Sequence, residues 1–377
     1  MLFYYLLAAA IVWLGITIFL LANTRRILFL RNQPLAKVFP EIAIVIAVRN
    51  EEDDLADALE SVCNLDYPNY RVIAINDRST DQTPVILERY AGQYPFLHIH
   101  HIKELPQGWL GKNHALQQGY LQSDSEWLLF TDADIVYQKD ALSRAIGYVT
   151  RHHLDHLTIF PEIRSRSLLL RGILQTFAIM LEIRLRPWEA PNPASDAYMG
   201  IGAFNLVRRS AYQRAGTHLR IPLRPDDDLQ LGRLLKSTGS RQDVLYGEDK
   251  ISLEWYTSVN GFIRGLMKNM FSVSEYQLSK ALVAAIGTFF VFCFPVPAAL
   301  FSGSIYCMLA GGSIVVLQWL LLLFKPARRH WWDFLLMPYA GGIMTYIILK
   351  ATYKTLSENG ISWRDSFYSL DELKKGE

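Results

Sequence analysis

A chain of 377 residues that is 51% hydrophobic, with a mean hydropathy of +0.11, is more apolar than a wholly soluble protein of this length requires. Its formal net charge of +2 excludes a strongly basic nucleic-acid binder as the default class. Three scattered cysteines, Cys63, Cys293 and Cys307, share no C-x-x-C spacing, which argues against a disulfide framework and a zinc site and suits a reducing, cytoplasm-facing domain.

Leu2 to Ala22 carries no charge and is long enough to span a bilayer. Its basic residues come after it, at Arg25, Arg26 and Arg31, whereas a secretory signal has them first. Residues 1–22 therefore read as a retained transmembrane helix with its N-terminus outside, and residues 23–40 as a basic linker inside. Glu41 to Val48 has the length and branching of a buried strand, and Leu55, Ala58, Leu59 and Val62 follow at helical spacing. Arg71 to Asn76 is a second strand. Ser79-Thr-Asp81 supplies N-cap residues, with Pro84 early in the next helix. Leu97 to Ile102 is a third strand, Lys112 to Leu121 a helix, and Trp127 to Phe130 a fourth strand. Strands alternating with helices predict an α/β domain over residues 41–250, built on a mostly parallel sheet with right-handed crossovers.

The apolar run within Leu168 to Trp188 is broken by Arg171, Gln175, Glu182, Arg184 and Arg186. It is too charged to span and suits a helix lying against the domain or the membrane surface. Asp226-Asp-Asp228 precedes Leu229, Leu231, Leu234 and Leu235, an acidic helix start. Residues 251–280 read as an interfacial amphipathic segment, with Arg264 and Lys268 set among aromatics. Residues 281–350 hold three apolar stretches read as transmembrane segments: Ala281 to Phe301, Ser304 to Phe324 and roughly Phe334 to Leu349. Pro295 and Pro297 interrupt the first. Lys325, Arg328, Arg329 and His330 make an inside loop between the second and third. By the same charge rule the polar tail, residues 351–377, falls outside. Its Trp363-Arg-Asp365 reads instead as a packed cytoplasmic piece, which would make one span re-entrant.

Four polar clusters sit at or near predicted strand ends: Arg49-Asn-Glu-Glu52, Asn76-Asp-Arg-Ser-Thr-Asp81, Asp132-Ala-Asp134 and Asp227-Asp228. In a parallel sheet the first three share one edge, where ligands of α/β folds gather. Asp132 and Asp134 suit a hard divalent cation held by oxygen, and helix capping is the competing explanation for each cluster taken alone. Histidines 98, 100, 101, 152, 153 and 156 read as a strand face and a helix end rather than as zinc ligands.

Val48-Arg-Asn-Glu-Glu52, Asn76 to Asp81, Asp132-Ala-Asp134 and Asp227-Asp-Leu-Gln-Leu231 together resemble, in order, the motifs of family 2 glycosyltransferases with the GT-A fold. Gly108-Trp-Leu-Gly-Lys-Asn113 and Gly200 to Arg209 are similar to the membrane-bound branch that includes hopanoid-associated, carotenoid and, more distantly, ceramide glycosyltransferases. The resemblance covers roughly Ile42 to Phe271. It implies a GT-A catalytic domain, Rossmann-like and mostly parallel, with transmembrane helices at both ends of the chain.

By the same resemblance, the backbone at Val48 and the side chains of Asn50, Glu51 and Asp77 bind the nucleotide, and Asp132 contacts ribose or metal. Asp134, with Asp132, ligates Mn2+ or Mg2+. Asp228 is the general base with Asp227 beside it, and Lys112 and Asn113 touch the diphosphate or the acceptor. Gly200, Gly202, Trp255 and Tyr256 fall on the acceptor side.

The implied activity is inverting transfer of one sugar from a nucleotide sugar, with a UDP-sugar as the expected donor, to a lipid or lipid-linked acceptor. The implied setting is a multi-pass protein of a bacterial inner membrane with its catalytic domain in the cytoplasm. The partners are then the donor, the acceptor and the bilayer, with no nucleic acid. Two departures stand out. Arg78 occupies the position where the family usually has glycine, and the Gln-x-x-Arg-Trp motif of processive synthases is missing. The alternatives are a non-catalytic relative acting as a membrane scaffold and a processive polysaccharide synthase.

Overall fold

The computed structural model describes residues 1–327, 330–363 and 366–375. Arg328 and Arg329 of the expected inside loop, and Arg364 and Asp365 of the tail, lie outside the described residues, as does the side chain of Lys268.

The chain opens with helix α1 (Leu2–Thr24), followed by a two-residue strand β1 (Leu28–Phe29). Strand β2 (Ile42–Val48), helix α2 (Leu55–Cys63), strand β3 (Tyr70–Asp77), helix α3 (Thr83–Ala91) and strand β4 (Leu97–Ile102) then alternate. Helix α4 (Gly111–Leu121), strand β5 (Trp127–Thr131), the short β6 (Val136–Tyr137), helix α5 (Ala141–Arg151) and strand β7 (His156–Phe160) complete the alternating part. A short β8 (Glu162–Ile163) leads into helix α6 (Leu168–Leu185). After α6 come β9 (Asn205–Arg208), α7 (Arg209–Ala215), α8 (Asp227–Ser237), β10 (Gln242–Tyr246) and β11 (Ile251–Leu253).

Eight of these strands form one sheet in the order β1-β10-β7-β9-β5-β2-β3-β4. All its pairings are parallel except those of β9, which runs antiparallel between β5 and β7. The α/β reading with a mostly parallel sheet therefore holds. Side chains alternate across β2, as the twofold pleat requires. Ile42, Ile44, Ile46 and Val48 pack with α2 and α5, while Ala43 and Val45 face α4, α7 and α8. Both faces are covered by helices, which is why these strands read as unbroken apolar runs. The register sets Val48 beside Asn76 and Ile46 beside Thr131, so the polar residues that follow β2, β3 and β5 emerge at one edge.

The remaining helices build the apolar half: α9 (Val259–Met270), α10 (Leu278–Thr288), α11 (Pro295–Leu300), α12 (Ile305–Phe324) and α13 (Met337–Ser357). Among the described residues, three helical segments, Leu2–Thr24, Ile305–Phe324 and Trp331–Ser357, are long and apolar enough to cross a membrane. The stretch from Leu278 is interrupted. A wide π turn over Phe289–Cys293 comes just before Pro295, which lacks the N–H and the space for a regular helical turn. Within this half, the Trp13 indole N–H donates to the Val291 carbonyl at 2.9 Å, and Leu6 packs on Ala299 and Cys307. Helix α6 is the plate between the two halves. Arg171 forks onto Asp333 at 2.8 and 2.7 Å, and Glu182 pairs with the buried Lys325.

The chain ends in a hairpin, β12 (Gly360–Trp363) with β13 (Ser366–Ser369), and a short helix α14 (Leu370–Lys375). The charge rule puts this tail on the far side of a membrane from the sheet domain, whereas the alternative makes it a packed piece, and in the structure it touches that domain. The Tyr368 hydroxyl donates to the Trp109 carbonyl of the sheet domain at 3.4 Å, and Ile361, Leu370 and Leu373 pack with Phe271 and Tyr276. Helix α13 lies along α6 and α9, burying Ala340, Met344 and Ile347 against Leu170, Phe177 and Phe262.

The Glu182–Lys325 pair yields a stability prediction. Lys325→Met takes the cation from the buried Glu182 carboxylate, leaving it the Tyr246 hydroxyl, and should cost about 3 kcal/mol, read as a lowered thermal midpoint of the purified protein. Glu182→Gln combined with Lys325→Met should recover most of that loss. A single variant as stable as wild type would remove the pair from the accounting.

Candidate active site

Strands β2, β3 and β5 deliver their terminal residues to one cleft of about 280 Å³. Val48, Arg49 and Glu51 line it from β2, Asp77 and Arg78 from β3, and Asp132 and Asp134 from β5. Lys112 enters from α4, and Asp227 and Asp228 from the first turn of α8.

Carboxylates crowd this corner, and a single ammonium group joins two of them. Lys112 Nζ lies 2.8 Å from Asp132 Oδ1 and 3.4 Å from Asp227 Oδ1. Burial alone would lower the Lys112 ammonium, but Asp132, Asp227 and Asp228 outweigh it and hold it well above its usual range. Burial pushes Asp227 up to about 7, against the pull of Lys112. Burial likewise raises Asp228, again opposed by Lys112. Asp134 is driven up to about 7 by burial first and then by its neighbours Asp132 and Glu51.

A glycine segment ties the two acidic centres together. The Asp132 N–H donates to the Gly202 carbonyl at 3.0 Å, and the Gly202 N–H donates to Asp228 Oδ2 at 2.7 Å. The Leu229 N–H donates to the other Asp228 oxygen at 2.8 Å. No side chain fits in this seam. A Cβ on Gly200 would lie 1.8 Å from the Asp228 carbonyl oxygen, and one on Gly202 would lie 2.4 Å from Asp132 Oδ2. Gly200 and Gly202 thus sit behind the carboxylates as their backbone support. The third acid of the triplet has a different job, since Asp226 takes the Arg224 fork at 3.0 and 3.1 Å and a bond from Gln230.

Asn113 requires a correction. It was expected on the diphosphate or the acceptor, yet it is completely buried. Its amide donates to the carbonyls of Ile221 at 2.7 Å and Arg224 at 2.9 Å, tying α4 to the loop before α8. Lys112, about 100° round the helix from Asn113, is the one of the two that reaches the cleft.

On the β3 side of the cleft, Asp77 is 3% exposed and clasped by arginines. Arg78 Nε and Nη2 donate to its two oxygens at 2.7 and 3.1 Å, and Arg49 approaches at 3.4 Å. Arg78 holds φ at 58°, a left-handed conformation that suits the glycine usual at this position. Asn50, at φ 51°, links two loops by donating its N–H to Ser79 and accepting from the Thr80 N–H at 2.8 Å. Trp255 and Tyr256 form the aromatic wall, with ring centroids 5.1 Å apart.

Residues 43–216 match the family model described as Glycosyl transferase family 2. These residues are a family 2 glycosyltransferase domain. It resembles a beta-monoglucosyldiacylglycerol synthase from Nostoc sp., at 29% identity over 213 residues, which is 54% of this chain and 44% of that one. It also resembles a poly-beta-1,6-N-acetyl-D-glucosamine synthase from Staphylococcus epidermidis, at 30% identity over 177 residues, 46% of this chain and 41% of that one. The chain spans less than half the length of these curated relatives. Among solved structures, a mannosyltransferase from Pyrobaculum calidifontis in complex with GDP-Man and Mn2+ aligns with a TM-score of 0.60. That alignment covers 95% of this chain and 99% of the other at 17% identity, so the likeness is one of fold. The sheet domain has the GT-A architecture.

The residues of the family 2 domain fit a divalent cation. Asp134 Oδ1 is buried and accepts no hydrogen bond among the described residues, and a second carboxylate, Asp132, neighbours it. No cluster of three or more His, Cys, Asp or Glu suited to a metal occurs among the described residues. A cation held here would take one or two carboxylates from the protein and leave positions for phosphate oxygens, a pattern typical of Mg2+ in phosphate sites.

The sequence reading missed Arg49, Leu110, Pro225 and Tyr368 as lining residues. Arg49 and Leu110 lie within the motifs Val48–Glu52 and Gly108–Asn113 and carried that positional signal. Tyr368 carried none, because only the packing of the tail brings it here.

A buried histidine beside the acids gives a pH prediction. Burial, aided by the Lys112 charge, holds the His218 imidazole down at about 3. The folded state therefore binds fewer protons there than the unfolded chain. The resulting stability is full above about pH 6.5 and is lost as pH falls toward 3. Asp134 and Asp227, held up at about 7, act in the opposite direction, so the informative quantity is a difference. His218→Gln should show a less positive slope of thermal midpoint against pH below about 6.5 than wild type does. Equal slopes would mean His218 does not titrate this way.

Proposed function

We propose that this chain is a membrane-associated, inverting family 2 glycosyltransferase that moves one sugar from a nucleotide sugar, a UDP-sugar in our reading, to the hydroxyl of a lipid acceptor. The observation that carries the reading is the meeting of Asp132, Asp134, Lys112 and Asp228 in one cleft walled by aromatic residues. The Nostoc relative is named for a diacylglycerol product, which supports a lipid acceptor. The three helices long and apolar enough to span support residence in a membrane, with residues 1–22 as an anchor and the sheet domain on the cytoplasmic face.

In this reading Val48, Asn50, Glu51, Asp77 and the Arg78 guanidinium form the nucleotide side. Mn2+ or Mg2+ held by Asp134 and Asp132 supplies charge neutralisation for the diphosphate leaving group. Mn2+ is the ion bound by the Pyrobaculum neighbour. Lys112 adds a second positive charge on the same face. The acceptor hydroxyl oxygen bonds to the anomeric carbon as the carbon–oxygen bond to the diphosphate breaks, and the hydroxyl proton passes to Asp228. One displacement inverts the anomeric centre and needs no covalent enzyme intermediate. The raised affinity of Asp228 for a proton suits a base, and the backbone N–H groups of Gly202 and Leu229 hold it in place. Asp227, paired with Lys112, is the supporting acid.

A second reading, a processive polysaccharide synthase, is favoured by the Staphylococcus epidermidis relative. Product length on a gel separates the two, since single transfer yields one discrete glycolipid and elongation yields a ladder.

The assay is a panel of nucleotide sugars, with and without Mn2+, read by thermal protection and by transfer to diacylglycerol in vesicles. Asp228→Asn should lower kcat by about 10²–10⁴-fold while nucleotide protection persists. Normal turnover in that variant would remove Asp228 as the base. Asp134→Ala should abolish the Mn2+-dependent part of the protection, and protection unchanged by chelator would count against the metal site.

A further inference from the structure

The cleft has a wall that neither the motifs nor the family match reaches. Tyr368, in the last strand of the chain, lines the same cavity as Asp77, Lys112, Asp134 and Asp228 and stands with Trp255 and Tyr256. The matched family segment stops at residue 216, so the hairpin lies well beyond it.

The hairpin is docked in place. Its register pairs Ile361 with Tyr368, and the Leu370 N–H closes it on the Asn359 carbonyl at 2.9 Å. Gly360 pins that register, because a Cβ there would lie 2.3 Å from the Tyr368 carbonyl oxygen. Ile361, Leu370 and Leu373 pack against Phe271, Tyr276 and Ile348. The Tyr368 hydroxyl reaches the Trp109 carbonyl, just before the helix that carries Lys112.

The neighbouring aromatics are fixed as well. Tyr256 presses on α9, where a Cβ on Gly265 would lie 2.1 Å from its hydroxyl, and its ring meets Phe262 edge-on at 5.5 Å. Phe262 and Phe177, both buried, back these rings in the apolar seam between α6, α9 and α13. The cleft therefore sets aromatic rings beside its carboxylates and its cation. That polarity suits an acceptor with a reactive hydroxyl on an apolar body.

We propose that the C-terminal hairpin is part of the acceptor site and that Tyr368 contacts the apolar body of a lipid alcohol beside its reacting hydroxyl. The proposal rests on the transferase reading given above. It makes the last strand a specificity determinant and keeps the C-terminus on the same side as the cleft.

The test uses the full chain in phosphatidylcholine vesicles containing diacylglycerol, with UDP as the binding probe and the active donor from the panel. Tyr368→Ala should raise the acceptor KM about tenfold, the weight of one aromatic contact, with the donor KM and UDP protection unchanged. Tyr368→Phe should recover most of the acceptor affinity lost in Tyr368→Ala, since the ring makes the contact. An acceptor KM within about twofold of wild type in Tyr368→Ala, a small change on this scale, overturns the proposal. A parallel rise in donor KM also overturns it, because that marks a general disturbance. UDP protection in each variant reports that the domain is folded.

A second arm needs no turnover. Cysteines placed by Trp109→Cys and Tyr368→Cys in one chain should be bridged by a short bis-maleimide, and failure to bridge them overturns the placement. A wild-type chain with neither UDP protection nor transfer overturns the transferase reading and the acceptor role with it. A cross-link in that same chain would leave the position of the hairpin standing.

Discussion

Negative charge at one edge of a sheet is the constraint on which the rest of this protein depends. Asp132, Asp134, Asp227 and Asp228 meet in one cleft, with Asp227 buried, and an ionised carboxylate taken out of water is costly without a partner. Lys112 joins Asp132 to Asp227, so the position of α4 matters more than its polar surface suggests. Asn113 gives that position a mechanical basis by holding α4 to the loop that leads into α8. The cation and the acids it offsets are thus mounted on one connected unit. Asp134 keeps an oxygen with no hydrogen bond among the described residues, the one the proposed cation would take.

The same economy governs the backbone. Gly202 touches both acidic centres, accepting from the Asp132 N–H and donating to Asp228. A displacement of either is transmitted to the other through one residue with no side chain to absorb it. The β9 strand that follows runs antiparallel between β5 and β7, and this reversal feeds the glycine segment in behind the strand ends. At the end of β3 the solution differs. Asp77 is neutralised by Arg78 and Arg49, which leaves guanidinium edges along with the carboxylate to face the cleft.

The apolar half is joined to the sheet domain by charged contacts as well as by packing. Arg171–Asp333 and Glu182–Lys325 both run from α6 to the segments that flank α13. Buried pairs of this kind add little net stability over apolar packing, but they penalise any arrangement that separates the partners. They fix how α6 and α13 lie against each other. That arrangement allows the tail to return to the cleft, and it makes the membrane-side helices part of the architecture of the site.

The alternation of strands and helices was legible in the sequence because both faces of the sheet are covered. Such strands appear as continuous apolar runs from Ile42, Val72 and Trp127, each ending in polar residues. The acids at those ends were legible for the same reason, since the chain changes from apolar to charged within one or two positions. Local patterns do not encode direction or distant packing. Adjacent numbers placed Asn113 beside Lys112, but the helix turned it into the interior. Asp77 read as an open acceptor, and the left-handed Arg78 folded back over it. The side of the tail and the place of Tyr368 depend on contacts between segments more than two hundred residues apart, such as Tyr368 with Trp109. The sequence by itself determined the fold class and the acids at the strand ends, because burial and periodicity are local properties of the chain. Only the tertiary structure decided which of those groups share the cleft and what closes it, because that depends on how helices and tail pack, which no local spacing records.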